Sequence, residues 1–406
     1  MFFGGEVTMI LNEIAKEIGI TKYKEVPLGM DAYYPIPESR KSELCSMALI
    51  ARLQQRFDFF REYYEAVQKS WEDLEQDEKR KAYVDAASLF MLDHDYEEVV
   101  KIPVPKPDGT AAGDLLSLFI LLPSIEKAYE GYIKRGFSPE FALKYVKRYY
   151  GSLNHVSQKV VGRPALNGVY FRWLCLYTKN RMFDTHGFDF ELHRFQEAYI
   201  LRHKESGQIL PLSVNQMLHR SGLPLGCAGA EDVDGAVQAC FQETEDAYLG
   251  HAVENYRFSL AQTTFPKALW ELTMQPGDIT IVVHVPSKSD ISPENFYEAI
   301  ENAKVIAREQ YFDLQPKMLS THSWFLCPDL EHMLRPDAKL LSFARCFTRF
   351  PLSGATGKSV FGFVFPAGSH LRPLEELPED TSLMRALKAH YLAGGYILDY
   401  NGVIAL

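Results

Sequence analysis

The segment PGDITIVVHVPSKSDISPENFYEAIENAKVIA, residues 276–307, decides the fold of the C-terminal half of this chain. A Pro-Gly-Asp turn leads into the apolar, β-branched run ITIVVHV, which predicts a strand that is covered on both faces. Ser292 and Pro293 are then residue types preferred at the N-cap and first position of a helix. The apolar face of this helix is predicted to comprise Phe296, Ile300, Ala303 and Ala307.

The residues that follow predict a second parallel strand and then a hairpin. Lys317–Leu326 is the predicted strand, and the order strand, helix, strand implies a parallel pair with a right-handed crossover. A short helix is predicted over Pro328–Leu334. Two long strands, Lys339–Phe350 and Ser359–Phe365, are predicted to form an antiparallel hairpin around a Ser-Gly-Ala-Thr-Gly turn.

Further strands are predicted before residue 276. Val169–Tyr177 and Phe188–Phe195 are rich in aromatic residues and lie on either side of a turn at Thr185–Gly187, which predicts a hairpin. In the second strand, apolar side chains alternate with Asp189, Glu191 and His193. Another strand pair is predicted over Glu197–Leu212, and the acidic stretch at 226–247 is predicted to be an excursion from the sheet.

The N-terminal half is predicted to be helical. Helices are predicted from Thr8 to Gly19, over Glu38–Tyr64, Asp77–Asp93 and Leu115–Lys134, and from Pro139 behind the cap Ser138. Near Gly151 the sequence becomes rich in Gly, Asn and Ser, which predicts a loop and a domain boundary. We therefore expect an α+β protein, with an all-helical domain over residues 1–155 followed by a mixed β-sheet flanked by helices over residues 156–406.

Composition excludes several classes of partner. The chain has 406 residues, 47% of them hydrophobic, which is long enough for two cores, and its net charge is −10. An acidic chain lacks the cationic field that attracts nucleic acid, so no nucleic-acid partner is expected. Apolar runs are much shorter than the ~20 residues needed to cross a bilayer, and no signal peptide is evident. We expect a cytoplasmic protein without a membrane partner, and no cysteine or histidine spacing predicts a metal.

Five segments together resemble a bacterial acyltransferase family that has a helical N-terminal domain and a GNAT-like C-terminal domain. They are VVGRPALNGVYFRWLCLYTKNRMFDTHGFDFELHRF (Val160–Phe195), PGDITIVVHVP (Pro276–Pro286), the Ser-Pro-capped helix after it, THSWFLCPDL (Thr321–Leu330) and LRPDAKLLSFARCF (Leu334–Phe347). The resemblance implies that an acyl-coenzyme A thioester lies between two parallel strands that splay apart. Its pyrophosphate is then expected at the start of the crossover helix, where unpaired N–H groups favour an anion.

The residues implied in coenzyme A binding are Val285, Pro286, Ser287, Lys288, Ser289, Asp290 and Ser292. Here the chain departs from the wider GNAT superfamily. The pattern Q/R-x-x-G-x-G/A, which is normal at this position, is replaced by PSKSDISP, a loop without glycine.

Acyl transfer to an amine requires a base for the ammonium proton and an acid for the leaving thiolate. His284 and His322, on the two parallel strands, are candidate bases because imidazole titrates near neutral pH. Ser323 is a candidate proton donor, while Arg172 and Trp324 are candidates for binding an anionic or aromatic substrate. The expected function is transfer of an acyl group from acyl-coenzyme A to a small-molecule amine.

A non-catalytic binding module is the alternative, in which the same cleft holds a ligand or a peptide and the helical half mediates assembly. The glycine-free loop favours this alternative, whereas two histidines facing one predicted cleft favour catalysis. The chain contains no G-x-S-x-G, G-x-x-x-x-G-K-S/T or H-E-x-x-H motif, and no strand is followed by G-x-G-x-x-G. Hydrolase, phosphate-loop, zinc and dinucleotide functions are therefore not predicted.

Overall fold

A computed structural model describes residues 5–20, 25–366 and 368–406, with side chains described from residue 11 onward. The chain divides into two compact units, Met1–Met182 and Phe183–Leu406. The N-terminal unit is helical, and the C-terminal unit combines a mixed β-sheet with helices, so the predicted α+β class is confirmed. Among the described residues, no helix has the length and apolar character needed to cross a membrane.

The helices of the N-terminal unit pack around an apolar core that contains Trp71, Phe90 and Phe119. They are α1 (Gly5–Glu17), α2 (Met47–Phe57), α3 (Tyr64–Glu75), α4 (Glu78–Asp93), α5 (Tyr96–Val99), α6 (Ala111–Leu121), α7 (Ile125–Lys134), α8 (Pro139–His155) and α9 (Gly168–Thr178). Side-chain oxygens of Ser46, Asp77, Thr110, Ser138 and Asn167 accept backbone N–H groups three residues further on. These caps define where five of the helices begin.

The strand predicted over Val169–Tyr177 is wrong, because this segment is helix α9. The side-chain oxygen Oδ1 of Asn167 accepts from the N–H of Tyr170, and Trp173 Nε1–H donates to Tyr177 Oη over 3.0 Å, one helical turn away. Aromatic residues generally favour strands, but here an N-cap and pairing at i,i+4 favour the helix.

The loop predicted near Gly151 is also helical. Helix α8 extends to His155 and is continued by a π-helix over Val156–Val161, which ends at Gly162 with φ 79°. The division between the compact units therefore lies on the C-terminal side of the boundary predicted after residue 155. Within the helical unit, the single helix predicted over Glu38–Tyr64 is interrupted after α2 by Asp58, whose φ of 49° is left-handed.

The C-terminal unit contains one six-stranded sheet and several small ones. The strands are β1 (Met182–Thr185), β2 (Phe188–Arg194), β3 (Ala198–His203), β4 (Ile209–Ser213), β5 (Met217–Leu218), β6 (Val237–Gln238), β7 (Gln242–Glu243), β8 (Ala247–Gly250), β9 (Val253–Glu254), β10 (Arg257–Phe258), β11 (Thr263–Pro266), β12 (Trp270–Met274), β13 (Ile279–His284), β14 (Met318–Ser323), β15 (Thr348–Pro351) and β16 (Tyr400–Ala405). The helices are α10 (Pro293–Gln310), α11 (Leu330–Met333), α12 (Lys339–Ala344), α13 (Ser359–Val364) and α14 (Ser382–Leu392). The large sheet has the order β1-β2-β13-β14-β16-β15.

The predicted strand, crossover helix and strand are confirmed as β13, α10 and β14, with β13 and β14 parallel. Helix α10 packs on one face of the sheet through Phe296, whose ring centroid lies 5.2 Å from that of Phe188 and 4.5 Å from that of Phe343. The pair predicted over Glu197–Leu212 is confirmed as β3 and β4. The acidic excursion contains the two-residue strands β6 and β7, and its last residue, Ala247, begins β8.

The predicted C-terminal hairpin is wrong in part. Ser359–Phe365 forms helix α13, and Lys339–Phe350 begins as helix α12 and becomes strand only at Thr348. A short apolar run is compatible with a buried helix as well as a buried strand, so periodicity could not distinguish them. The true partner of β15 is the C-terminal strand β16, where Phe350 pairs with Asn401.

Candidate functional site

Four adjacent strands place polar side chains on the face of the sheet opposite α10. Val282 on β13 pairs with Glu191 on β2 and with Ser320 on β14, so these three side chains share one face. His322, two residues after Ser320, pairs with Asn401 on β16 and lies on the same face. Phe190, Ile281 and Leu319, at alternate positions of these strands, are buried apolar residues on the other face.

The parallel ladder between β13 and β14 is short. Its backbone register joins Ile281 to Leu319 and Val282 to Ser320, and ends there. At the next position the Thr321 hydroxyl donates to the Val283 carbonyl oxygen over 2.9 Å, so a side chain bridges the strands. The two histidines predicted from the sequence, His284 and His322, follow the end of this ladder.

Glu191 links two histidines on the polar face. Its carboxylate, 7% exposed, accepts from His284 Nε2 over 2.8 Å and from His193 Nδ1 over 3.1 Å. Burial favours the neutral acid, but hydrogen bonds and charge from both histidines outweigh it and lower the pKa of Glu191 to about 2. At neutral pH the carboxylate is therefore ionised, a weak base, and suited to orienting an imidazole.

His322 lies beside a cavity of about 50 Å³, which Glu191, His193, Ser320 and Asn401 also line. Its ring reaches solvent but is recessed among protein atoms, and in the described part of the chain it has no hydrogen bond or ion pair. Burial, followed by the charge of His284, lowers the pKa of His322 although nearby carboxylates oppose this. His322 is consequently neutral near pH 7 and can accept a proton.

The loop predicted to bind pyrophosphate is held by its own contacts. Asp290 accepts from the Ser292 N–H over 3.1 Å and from its hydroxyl over 3.0 Å, which places a carboxylate at the start of α10. Ser289 donates to the carbonyl oxygen of Gly187 over 2.7 Å. Lys288 is exposed at φ 74°, and Lys339 Nζ lies 3.9 Å from Asp290 Oδ1. The start of α10 thus lies near two cations, Lys288 and Lys339, and near one anion, Asp290.

The other predicted residues lie elsewhere. Ser323 ends β14, and Trp324 is buried in the 3₁₀ turn that follows; neither lines the cavity beside His322. Arg172 belongs to α9 in the N-terminal unit and lines a cavity formed by residues of that unit. Their predicted roles as proton donor and substrate-binding residues stay predictions.

Sequence reasoning missed Glu191, His193, Ser320 and Asn401. The alternation in β2 had placed Glu191 and His193 together on a polar strand face. Pairing that face with the neighbouring strand would have brought Glu191 close to His284. Asn401 had no comparable signal, because its strand was not predicted.

Comparisons with known proteins agree with this architecture. The family described as the GNAT-like C-terminal domain matches residues 188–404. A mutant acyltransferase in complex with octanoyl-CoA is similar with a TM-score of 0.57 and 16% identity, covering 97% of this chain and 93% of that one. An acyltransferase in complex with decanoyl-CoA and teicoplanin has a TM-score of 0.56 at the same identity and coverage. An acyltransferase in complex with decanoyl-CoA is similar with a TM-score of 0.56 and 16% identity, covering 99% of this chain and 96% of that one. A search of curated proteins found no match.

Proposed function

Because the chain belongs to the GNAT-like C-terminal domain family, we propose that it transfers an acyl group from acyl-coenzyme A to the amine of a small-molecule acceptor. The observation that carries this proposal is the imidazole of His322, which has no hydrogen bond to any described residue and lies beside the Glu191–His284 pair, just beyond the β13–β14 ladder. Structurally similar acyltransferases in complex with CoA, octanoyl-CoA or decanoyl-CoA support the choice of donor.

In the proposed reaction the amine nitrogen bonds to the thioester carbonyl carbon while His322 accepts the ammonium proton. The tetrahedral intermediate then collapses, the carbon–sulfur bond breaks, and the protonated imidazole returns the proton to the departing thiolate. The products are an amide and free coenzyme A, and His322 ends neutral. The low pKa of Glu191 makes this carboxylate a poor proton acceptor, which favours a histidine as the base in this proposal.

His284 and Glu191 are positioning residues in this scheme. The 2.8 Å hydrogen bond to the Glu191 carboxylate fixes the orientation of the His284 ring. Burial first, and then the charge of His284, lower the pKa of His322. The pair therefore supports a neutral base at the pH where amines react.

The proposed donor site extends to the start of α10, where Lys288 is expected to contact the pyrophosphate and Asp290 to oppose it. Lys288→Ala should weaken acyl-coenzyme A binding by about threefold to tenfold, since one exposed charge contact is removed. Asp290→Asn should strengthen binding, because asparagine can still accept from the Ser292 N–H but carries no negative charge. Calorimetry with acetyl-CoA and decanoyl-CoA measures both effects, and equal affinities for both variants and the wild type would place the pyrophosphate elsewhere.

The function itself is tested by incubating the full-length protein with acyl-coenzyme A of increasing chain length and a panel of amines. We expect release of the free thiol of coenzyme A that depends on both substrates, together with an amide product detected by mass spectrometry. Binding of acyl-coenzyme A without thiol release for any amine would instead support a binding module. Absence of binding at millimolar concentrations would contradict both.

A further inference from the structure

A second and larger cavity, of about 940 Å³, is lined entirely by residues of the N-terminal unit. Its walls come from the Pro-rich segment 103–108, the π-helix over Val156–Val161 and the first turn of α9. The volume is within the range of small-molecule pockets. None of His284, His322 and Glu191 lines it, so the proposed transfer chemistry does not account for it.

Aliphatic side chains form much of the lining. Val160 and Val169 are 55% and 70% exposed, although both are hydrophobic, and Ile20, Val104 and Val161 extend the same surface. Exposed aliphatic area is unfavourable in water at roughly 25 cal/mol per Å², so a concave cluster of it favours an apolar ligand. Val160 and Val161 belong to the π-helix, a rare conformation that occurs frequently at functional sites.

The charged residues of the lining have a cationic excess. Asp108 is paired with Arg80 over 2.7 Å, and Arg163 is paired with the buried carboxylate of Asp114. Lys106 and Arg172, by contrast, have no ion pair or hydrogen bond in the described part of the chain. Two cations are thus available to a ligand in a cavity whose acidic residue is already neutralised.

The buried Asp114 gives one wall of the cavity a fixed position. Its carboxylate accepts from the Gly109 N–H over 2.9 Å as well as from Arg163. Its carbonyl oxygen accepts from the Leu166 N–H over 2.9 Å. These contacts join the segment before α6 to the segment before α9, so the wall is preorganised for a ligand.

We propose that this cavity binds an anionic amphiphile, a small molecule with an aliphatic chain that ends in a carboxylate or a phosphate. The anionic head is bound by Lys106 and Arg172, and the chain lies against Val104, Val160 and Val169. Cationic excess together with an aliphatic wall selects this ligand class over neutral lipids and over small polar anions. The proposal concerns binding by the N-terminal unit and does not rest on the proposed acyl transfer.

The test is calorimetry of the full-length protein with decanoate, decyl phosphate and decanol below their micellar or solubility limits. We expect either anion to bind at least about tenfold more tightly than decanol, since a hydrogen bond between charged groups is stronger than one between neutral groups. Comparison of the affinities for decanoate and decyl phosphate identifies the preferred anionic head group. Arg172→Gln should weaken anion binding about tenfold, and Val169→Glu should do the same by placing a negative charge on the aliphatic wall.

Lys69→Gln is the matched control, because Lys69 is an exposed cation on α3 that does not line the cavity. Val169 and Arg172 are exposed, so both variants should retain the wild-type circular dichroism and melting temperature. The proposal is overturned if no probe binds, if decanol binds as tightly as the anions, or if Arg172→Gln and Lys69→Gln have equal affinities.

Discussion

His322→Asn is expected to lower kcat by about 10²–10⁴-fold, the usual contribution of a positioned general base. Asparagine retains a polar side chain of similar reach but cannot accept the ammonium proton. The affinity for acyl-coenzyme A should change little, because the predicted donor contacts lie in the loop before α10. Steady-state kinetics at saturating donor measures kcat, and calorimetry measures donor binding.

The pH profile separates a catalytic role of His322 from a structural one. Since burial lowers the pKa of His322, the acidic limb of the wild-type rate should lie below the ordinary pKa of histidine. His322→Asn should abolish this limb, whereas His332→Asn, which changes an exposed histidine on α11, should leave both kcat and the profile unchanged. A wild-type kcat in the His322 variant would remove it from the mechanism.

The sequence predicted the central β13–α10–β14 unit because three independent signals agreed there. ITIVVHV is β-branched, Ser292-Pro293 marks a helix start, and the apolar residues after it have helical spacing. In the structure the Ser292 side chain makes no capping hydrogen bond, because its hydroxyl, like its N–H, donates to Asp290. The helix nevertheless begins at Pro293, so the fold prediction did not depend on this cap.

The other elements of the fold and the other residues of the candidate site depend on contacts between residues that are distant in sequence, which local sequence patterns do not encode. Val169–Tyr177 has strand-like composition, but its cap and its i,i+4 aromatic contact make it helical. Asn401 reaches the site because β16 pairs with β14 from the far end of the chain. His284 was predicted from its strand, whereas its partner Glu191 lies 93 residues earlier in sequence and became evident only from the sheet register.

Glu191→Gln is expected to destabilise the protein by roughly 3 kcal/mol at neutral pH. The pKa of Glu191 is lowered from an ordinary 4.5 to about 2, and each unit corresponds to about 1.36 kcal/mol of preference for the charged form in the folded state. Glutamine resembles the protonated acid and lacks this stabilisation. The melting temperature should fall by about 10 °C, given about 2–4 °C per kcal/mol for a unit of this size.

The pH dependence of the melting temperature tests whether the charge of Glu191 causes this stabilisation. A carboxyl with a lowered pKa stabilises the fold fully above its unfolded-state pKa, and this contribution is lost as pH falls from 4.5 toward 2. The difference in melting temperature between wild type and Glu191→Gln should therefore be constant above pH 5 and shrink below it. Glu254→Gln, at an exposed carboxylate of the same unit, should show no such difference. A gap that stays constant down to pH 2.5 would mean that Glu191 stabilises the sheet through packing, without its charge, and would leave His284 without an ionised partner.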